Sequence, residues 1–242
     1  MLPRLFIPSA LRVGLFDLPA AASRHVQVLR LRAGENLVLF DGLGGEWLAR
    51  LQGAQQVEVL EYRAIERETG PRIHLAIGMP ANERMDWLVE KATELGAASL
   101  QPLITQRSVL RLSGERAQRR VMHWQGIAAG ACEQCGRNRL PRIAPIRHLA
   151  DWLDDLPSNT ARLLLSPQAD SASLLPALAA GDQAHVLSGP EGGLSADEEA
   201  LALAAGFTRA TLGPRVLRAD TAPLCALVQL TFESHSRHEQ RA

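Results

Sequence analysis

The chain has 242 residues, of which 46% are hydrophobic and 21% charged, and its formal net charge at pH 7 is zero. This composition is ordinary for a globular protein of one large or two modest domains. No apolar run approaches the roughly 20 residues that a membrane helix needs, which excludes a membrane-spanning helix. The stretch MLPRLFIPSALRVG lacks a sustained apolar core and a small-residue cleavage site. We therefore expect no secretory signal and a cytoplasmic protein.

The first 70 residues predict a small β-rich barrel. Residues 21–29 form the one helix that is expected in this region. The run Asp41-Gly-Leu-Gly-Gly45 between two apolar segments predicts a tight turn. Thr69-Gly70-Pro71 then interrupts the chain and predicts a boundary between domains at 1–70 and 71–242. Short strands are predicted at residues 5–7, 36–40, 46–50 and 57–60.

From residue 72 onward, strands and helices alternate. Strands are predicted at residues 73–77, 99–104, 141–143, 162–166, 185–187 and 208–212. Helices are predicted at residues 84–95, 116–135, 149–153, 174–180, 195–205 and 223–235. Such alternation predicts an α/β domain with a mostly parallel sheet and helices on both faces.

Charge is unevenly distributed along this second region. The segment between Arg107 and Arg147 contains nine arginines and two glutamates, a net charge of +7. A phosphate-facing surface and an ordinary solvated helix face both fit this segment.

Cys132-Glu-Gln-Cys135 has the spacing of half a zinc site or of a redox pair. No second pair of ligands follows it, and it falls in a predicted helix rather than a turn. We therefore expect buried or half-buried thiols and no metal.

Two glycine-bearing loops follow consecutive strands near the end of the chain. The first is LSGPEGG at residues 187–193, and the second is LGPRVLRADTA at residues 212–222. Ligands of open α/β sheets bind beyond the carboxyl ends of the strands, so both loops lie where a ligand is expected. Glu191 argues against a polyphosphate, because a carboxylate beside one is repelled. The glycines fit neither the P-loop nor the dinucleotide pattern. A ligand with a cation and a hydrogen-bonding purine, such as S-adenosylmethionine, fits better.

Each part of these loops also has a purely structural interpretation. Ser195 and Glu198 have the spacing of a capping box at a helix start. Thr221 precedes another helix start, and Arg218 and Asp220 are close enough in sequence to pair within the loop. Two such loops at successive strand ends nevertheless favour a ligand site.

SGPEGGLSADEEALALAAGF and LGPRVLRADTA together resemble the paired signature of the bacterial small-subunit (16S) ribosomal RNA uracil-N3 methyltransferases. HVQVLRLRAGENLVLFDG, ERMDWLVEKATELGAASLQPLITQRSV and EQCGRNRLPRI are similar to further motifs of that family. The family usually carries Ser or Ala at the two positions of the Cys132–Cys135 pair and Glu where Asp220 stands. It also commonly has a Lys near Ala81, which is missing here.

This resemblance implies a SPOUT-type domain with a trefoil knot, joined to an N-terminal PUA-like β-barrel that binds RNA. It implies a homodimer that transfers a methyl group from S-adenosylmethionine to N3 of one uridine in 16S ribosomal RNA of the small ribosomal subunit. Arg218 is the expected catalytic residue, stabilising negative charge on the uracil. Glu191 or Asp220 acts as the base or positions Arg218, and we favour Glu191 as the residue that organises the loop. Alternatives left open are a superfamily member acting on transfer RNA or on a ribose 2′-hydroxyl, and a non-catalytic RNA-binding protein.

The residues expected to bind the cofactor belong to three strand-end segments. They are Ser166, Leu187, Gly189, Pro190, Glu191, Gly192, Gly193, Leu212, Gly213, Val216, Leu217, Arg218, Thr221 and Ala222. The residues expected to contact RNA are Arg4, Arg24, Arg30, Arg32, Arg107 and Arg111.

Overall fold

The computed structural model describes residues 2–68, 70–157, 160–167, 172–173 and 183–239. These residues form two compact units. The first runs to Glu68 and also takes in the later segment Ala129–Leu140, and the second contains the remaining described residues. The domain ranges 1–70 and 71–242 stay a prediction, and a single cut in the sequence does not account for the segment Ala129–Leu140. The predicted helix at residues 174–180 lies outside the described residues.

The N-terminal unit is built on one sheet and one helix. Its elements are β1 (Arg4–Phe6), β2 (Gly14–Asp17), α1 (Ala20–Val28), β3 (Asn36–Phe40), β4 (Glu46–Gly53) and β5 (Gln56–Arg63). The strand order is β1–β3–β4–β5–β2, with β1 parallel to β3 and every other pair antiparallel. All predicted strands and the predicted helix are confirmed to within a few residues, and β2 was not predicted.

Alternating side chains give this sheet one buried face. In β5, Val57 and Val59 are buried and Glu58 between them points outward, as the two-residue period of a strand requires. Helix α1 covers the buried face through Ala22 and Val26. The apolar cluster so formed also contains Leu5, Ile7, Leu11, Leu18, Leu37, Leu39, Ala49 and Leu51.

The predicted turn between β3 and β4 is confirmed. The Asp41 carboxylate accepts a hydrogen bond of 2.9 Å from the Leu43 amide. Gly42, Gly44 and Gly45 have φ values of 83°, 107° and 71°, in the left-handed region that side chains disfavour.

Ion pairs hold the segment Ala129–Leu140 within the N-terminal unit. The Arg137 guanidinium pairs with Glu68 at 2.6 Å, and Arg139 pairs with Glu66 at 2.7 Å. Arg139 lowers the pKa of the Glu66 carboxyl through a charged hydrogen bond. Both acidic partners directly follow β5, so charge attracts two distant parts of the sequence to each other.

The cysteines are the helical thiols that the sequence predicts. Cys132 is buried and Cys135 half-buried, and both lie at the end of a long helix. Burial raises the pKa of the Cys132 thiol to about 12, which disfavours the thiolate that metal binding and redox exchange require. Among the described residues, no group of three or more His, Cys, Asp or Glu side chains could hold a metal ion.

The second unit alternates strands and helices. Its strands are β6 (Arg72–Gly78), β7 (Ser99–Ile104), β8 (Arg142–Ile143), β9 (Arg147–His148), β10 (Ala161–Leu165), β11 (Ala172–Ser173), β12 (Gln183–Ser188) and β13 (Thr208–Thr211). Its helices are α2 (Asn82–Glu94), α3 (Gly114–Cys135, which continues into the first unit), α4 (Leu149–Leu153), α5 (Ala196–Ala204) and α6 (Thr221–Glu239). Every helix and strand predicted within the described part of this region is confirmed to within two residues at its start.

These strands form one sheet in the order β11–β13–β10–β12–β6–β7–β8, with β9 also paired to β7. Every pairing among the described strands is parallel, which confirms the predicted α/β class. The order departs from the sequence where β12 lies beside β6 and where β10 lies between β12 and β13. The carboxyl ends of β10, β12 and β13 therefore meet at one edge of the sheet.

Two pairs of helices pack on this sheet. Helices α4 and α5 contact each other, and Trp152 and Phe207 beside them join a buried cluster with Ala76, Leu164 and Leu187 of the strands. Helices α2 and α6 contact each other, and α6 also contacts β6 and β12. No helix in the described ranges has the length and apolar character that crossing a bilayer requires.

Candidate functional site

A cleft of about 780 Å³ lies at the carboxyl edge of the second unit's sheet. Its walls are the two predicted loops, which we call the glycine loop (residues 188–194, after β12) and the arginine loop (residues 212–220, after β13). The end of β10 contributes Ser166 and Pro167. A cleft of this volume is in the usual range for a small-molecule ligand.

The glycine loop is packed closely at two glycines, Gly189 within the loop and Gly78 beside it, where an added side chain would collide with neighbouring atoms. A Cβ atom added to Gly189 would lie 2.8 Å from the Leu194 amide nitrogen, inside the loop itself. A Cβ atom on Gly78, at the end of β6, would lie 2.5 Å from Pro190 Cδ. Gly193 has φ 69°, and its amide donates a 2.8 Å hydrogen bond to the Pro190 carbonyl. The loop is therefore a compact turn that presents main chain to the cleft.

Glu191 bridges the tip of the glycine loop to the start of α2. Its Oε1 accepts hydrogen bonds from the Ala81 amide at 3.0 Å and from the Arg84 guanidinium at 3.4 Å. Ala81 immediately precedes the helix, where exposed amides and the helix dipole favour a carboxylate. These contacts fit the interpretation of Glu191 as a structural residue of the loop, and its side chain also lines the cleft.

The capping box that follows the glycine loop is confirmed. The Ser195 hydroxyl accepts a hydrogen bond from the Glu198 amide at 3.2 Å, and the Glu198 carboxylate accepts one from the Ser195 amide at 2.9 Å. Gly206, with φ 85°, follows the last turn of helix α5. The first turn of α5 is therefore fixed directly after the loop.

The arginine loop is more open. Gly213 has φ 107°, and its amide donates to the Thr211 hydroxyl at 3.2 Å. The Arg218 carbonyl accepts hydrogen bonds from the Thr221 and Ala222 amides at 3.0 and 2.9 Å, which starts helix α6. The Arg218 side chain is exposed and lines the cleft, and among the described residues its guanidinium has no hydrogen-bond or ion-pair partner. The backbone of Arg218 is thus held by hydrogen bonds, while its guanidinium has no partner among the described residues.

Most of the predicted cofactor-binding residues lie together around the cleft. Leu187 is fully buried in the apolar cluster under the sheet edge, and Thr221 starts α6 without lining the cleft. The predicted residues that line it are Ser166, Gly189, Pro190, Glu191, Gly192, Gly193, Leu212, Gly213, Val216, Leu217, Arg218 and Ala222.

Four further charged residues of the cleft were not predicted: Arg84, Glu199, Arg209 and Arg215. Arg209 at the edge of β13 and Glu199 in the first turn of α5 both line it, and their side chains pair at 3.1 Å. Glu199 lies in the acidic first turn of α5, where the helix dipole favours carboxylates in general, and Arg209 carries no sequence signal beyond its place in a strand. Only the proximity of β13 and α5 reveals this ion pair.

The arginines expected to bind RNA differ in accessibility. In the N-terminal unit, Arg24, Arg30 and Arg32 are exposed. Arg4 is 5% exposed, and its guanidinium pairs with Glu46 at 2.8 Å and donates to Asn138. This burial counts against the predicted RNA contact of Arg4, because a buried charge with these partners is not available to phosphate. In the second unit, Arg107 and Arg111 are both exposed.

The parallel sheet and its carboxyl-edge cleft define the class of α/β proteins in which such a cleft is the usual place for a small ligand. A family model described as an RNA methyltransferase domain matches residues 67–231, and one described as an RNA methyltransferase PUA domain matches residues 18–61. The chain belongs to this RNA methyltransferase family.

Individual relatives agree with this membership. A ribosomal RNA small subunit methyltransferase E from Synechocystis is 34% identical over 215 residues, which cover 84% of this chain and 68% of that protein. The protein of that name from Bacillus subtilis is 29% identical over 221 residues, which cover 86% of this chain and 86% of that protein. The crystal structure of a ribosomal RNA small subunit methyltransferase E from Neisseria gonorrhoeae bound to S-adenosyl methionine is 38% identical, with a TM-score of 0.89. It covers 95% of this chain, which in turn covers 97% of that chain. The predicted resemblance to small-subunit ribosomal RNA methyltransferases is confirmed.

Proposed function

We propose that this protein transfers a methyl group from S-adenosylmethionine to N3 of a uridine in 16S ribosomal RNA. The observation that carries the proposal is the cleft formed by the glycine loop and the arginine loop, in a chain of the RNA methyltransferase family. The relative from Neisseria gonorrhoeae, which has the same fold, contains bound S-adenosyl methionine. The choice of N3 and of uridine rests on the sequence resemblance.

The cleft can hold S-adenosylmethionine against main-chain groups. Gly189, Gly192 and Gly193 line it without side chains, so a ligand can approach their backbone closely. We assign cofactor binding to the cleft-lining residues given above. Leu187 and Thr221 do not line the cleft, and we assign them to the structure that holds its lining residues in place.

When bound, S-adenosylmethionine supplies an electrophilic methyl group on its sulfonium. The protein has to place uracil N3 in line with that methyl and to favour the N3-deprotonated base. Arg218 is suited to the second task, because it lines the cleft and its guanidinium has no partner in the described part of the chain. There it can donate hydrogen bonds to the uracil carbonyl oxygens, on which negative charge develops.

Glu191 has a supporting part in this scheme. Its Oε1 is occupied by the Ala81 amide and Arg84, so the carboxylate fastens the loop to the start of α2. We therefore assign Arg218 as the catalytic residue and Glu191 as the residue that fixes the cofactor wall.

RNA binding is assigned to exposed arginines within each unit. In the N-terminal unit, Arg24, Arg30 and Arg32 lie on or directly after α1, in the part that the PUA model matches. Their positive charge can neutralise phosphates without specifying sequence. In the second unit, Arg111 is the corresponding candidate. We further propose that the five-stranded sheet of the N-terminal unit belongs to a PUA-like barrel. In this proposal the domain at 1–70 serves RNA binding, and the domain at 71–242 carries catalysis and the additional RNA contact of Arg111.

We also propose a SPOUT-type trefoil knot, a homodimer and a cytoplasmic location for the protein. The insertion of β10 between β12 and β13 and the meeting of the glycine and arginine loops at one edge support the knot. The homodimer, the cytoplasmic location and the small ribosomal subunit as partner follow from the resemblance.

The direct test is mass spectrometry of nucleosides from the small-subunit RNA of cells with and without the gene. N3-methyluridine is expected to disappear on deletion and to return with the wild-type gene, but not with an Arg218→Ala variant. A lost 2′-O-methyl nucleoside or a lost transfer RNA modification would identify the alternative methyltransferases instead. An unchanged modification profile, together with no calorimetric binding of S-adenosylmethionine, would indicate a non-catalytic RNA-binding protein.

A further inference from the structure

The glycine loop is gripped by an arginine from the loop that follows β7. Arg107 Nη1 donates hydrogen bonds to the Gly192 carbonyl at 2.8 Å and to the Leu194 carbonyl at 3.2 Å. One guanidinium nitrogen thus fixes two carbonyls two residues apart, in the half of the loop nearest α5. Hydrogen bonds from a charged donor are stronger than those between neutral groups.

The aliphatic part of Arg107 also contacts the loop. A Cβ atom added to Gly192 would lie 3.1 Å from Arg107 Cβ and 3.3 Å from Arg107 Cδ. Gly192 does not lie in the left-handed region, and a side chain at this position would be tight only against Arg107, which would have to give by a few tenths of an ångström. The loop and the arginine are therefore fitted to each other.

A second contact joins the same two loops. The Gln106 amide donates a 2.7 Å hydrogen bond to Glu198 Oε1, while Glu198 Oε2 accepts the Ser195 amide in the capping box. The residue before Arg107 is consequently held by the helix that the glycine loop leads into. This contact fixes the backbone from which Arg107 reaches the loop.

These contacts separate Arg107 from Arg218, the other exposed arginine of the cleft that the sequence singles out. The side chain of Arg218 has no described partner, whereas the Arg107 guanidinium is bound to loop carbonyls. Arg107 also lines the cleft beside Gly192 and Gly193. On the sequence alone it was grouped with the arginines that contact RNA phosphates.

We propose that Arg107 is a positioning residue, which holds the glycine loop in the shape that binds S-adenosylmethionine, and that it is not an RNA contact. This inference rests on the proposed function, because it names the ligand of the same cleft. Arg107 acts through the carbonyls of Gly192 and Leu194 and touches neither the methyl group nor the base.

The test compares the full-length wild type with Arg107→Ala, Arg107→Gln and Arg107→Lys. Calorimetry is expected to show that Arg107→Ala and Arg107→Gln bind S-adenosylmethionine at least tenfold more weakly, with partial recovery in Arg107→Lys. Lysine keeps one charged donor but lacks the forked guanidinium. The matched control is Arg116→Ala, an exposed arginine on α3 with no described partner, for which cofactor affinity is expected to be unchanged.

Kinetics and RNA binding distinguish positioning from a general loss of structure. With Arg107→Ala, the KM for S-adenosylmethionine is expected to rise at least tenfold while kcat at saturating cofactor stays within about threefold of wild type. The affinity for small-subunit RNA without cofactor is expected to stay within twofold. If Arg107→Ala melts at a lower temperature, Arg107→Gln decides the question, since it keeps the stem that packs on Gly192.

Wild-type cofactor affinity in folded Arg107→Ala and Arg107→Gln, or a loss of RNA affinity with cofactor binding intact, would overturn the inference. Either result leaves the proposed function standing, because the wild type still binds S-adenosylmethionine. A wild type that does not bind S-adenosylmethionine would overturn the proposed function and this inference together.

Discussion

Gly78→Ala should deform the cofactor cleft from beneath. Gly78 ends β6, and its missing side chain leaves room for Pro190 of the glycine loop. An added Cβ would lie 2.5 Å from Pro190 Cδ, 2.7 Å from Pro190 N and 3.1 Å from the Gly189 carbonyl carbon. Ordinary contacts begin near 3.4 Å, so the loop must move by about 1 Å or β6 must shift. Main-chain atoms and a rigid proline ring form the obstacle, and no flexible side chain can yield instead.

Overpacking of this kind costs about 1–3 kcal/mol of unfolding free energy. For a protein of this length, the melting temperature should fall by several degrees. A 1 Å displacement of Pro190 and Gly189 also changes the cofactor wall, and we expect at least tenfold weaker binding of S-adenosylmethionine, equivalent to about 1.4 kcal/mol.

Calorimetric titration and thermal melting of the full-length protein measure both effects. The matched control is Gly126→Ala in helix α3, where nothing lies within 4 Å of the added Cβ. That variant should be stabilised by about 0.5–1 kcal/mol, because alanine favours a helix over glycine, and its cofactor affinity should not change. A Gly78→Ala protein with wild-type melting and wild-type affinity would refute the close packing of Pro190 on β6.

Three further variants test separate parts of the second unit. Arg218→Ala should keep the affinity for S-adenosylmethionine within about twofold and lower methyl transfer by about 10²–10³-fold, since it removes charge stabilisation only; equal loss of both in calorimetry and methylation assays would contradict this role. Ser195→Ala should lower the free energy of unfolding by about 1 kcal/mol in urea titrations, because it breaks the capping box; an unchanged midpoint would count against that contribution. Burial, then the neighbouring charges of His74 and Arg162, lowers the pKa of His185 from 6.5 to about 4. Below pH 6.5 the unfolded chain therefore binds a proton at His185 that the folded protein does not bind. Roughly 1–3 kcal/mol of the free energy of unfolding is lost between pH 6.5 and 4. His185→Gln should weaken this pH dependence in urea titrations at pH 7.5 and 4.5, and an unaltered dependence would contradict it.

Much of the fold follows from local signals in the sequence. The three-to-four-residue period of Met85, Leu88, Val89 and Ala92 marks α2, and these residues are fully buried in the structure. The Ser195 capping box marks the start of α5 as directly. Such signals are reliable because each depends on residues within one turn of helix or one pair of strands.

Other features depend on partners far away in the sequence. Arg4 looked like a surface cation, and only the pairing of β1 with β3 and the approach of Asn138 bury it beside Glu46. Strand β2 carries the sequence Gly-Leu-Phe-Asp, too short and mixed to predict, and exists through its pairing with β5. The contacts of Arg107 on which the positioning role is proposed were hidden for the same reason, since its acceptors lie 85 and 87 residues away.

The position of the cleft could be predicted, because the carboxyl ends of parallel strands are a general place for ligands. The contacts that hold the shape of the glycine loop could not be predicted, since their partners lie in the segments that follow β6 and β7. On one side, the Glu191 carboxylate of the loop accepts a hydrogen bond from a main-chain amide at the start of α2. On the other side, carbonyls of the loop accept hydrogen bonds from the Arg107 guanidinium, which follows β7. A glycine-rich loop, flexible by itself, is thereby ordered before any ligand arrives, so that binding incurs less of the entropy cost of ordering the cofactor wall.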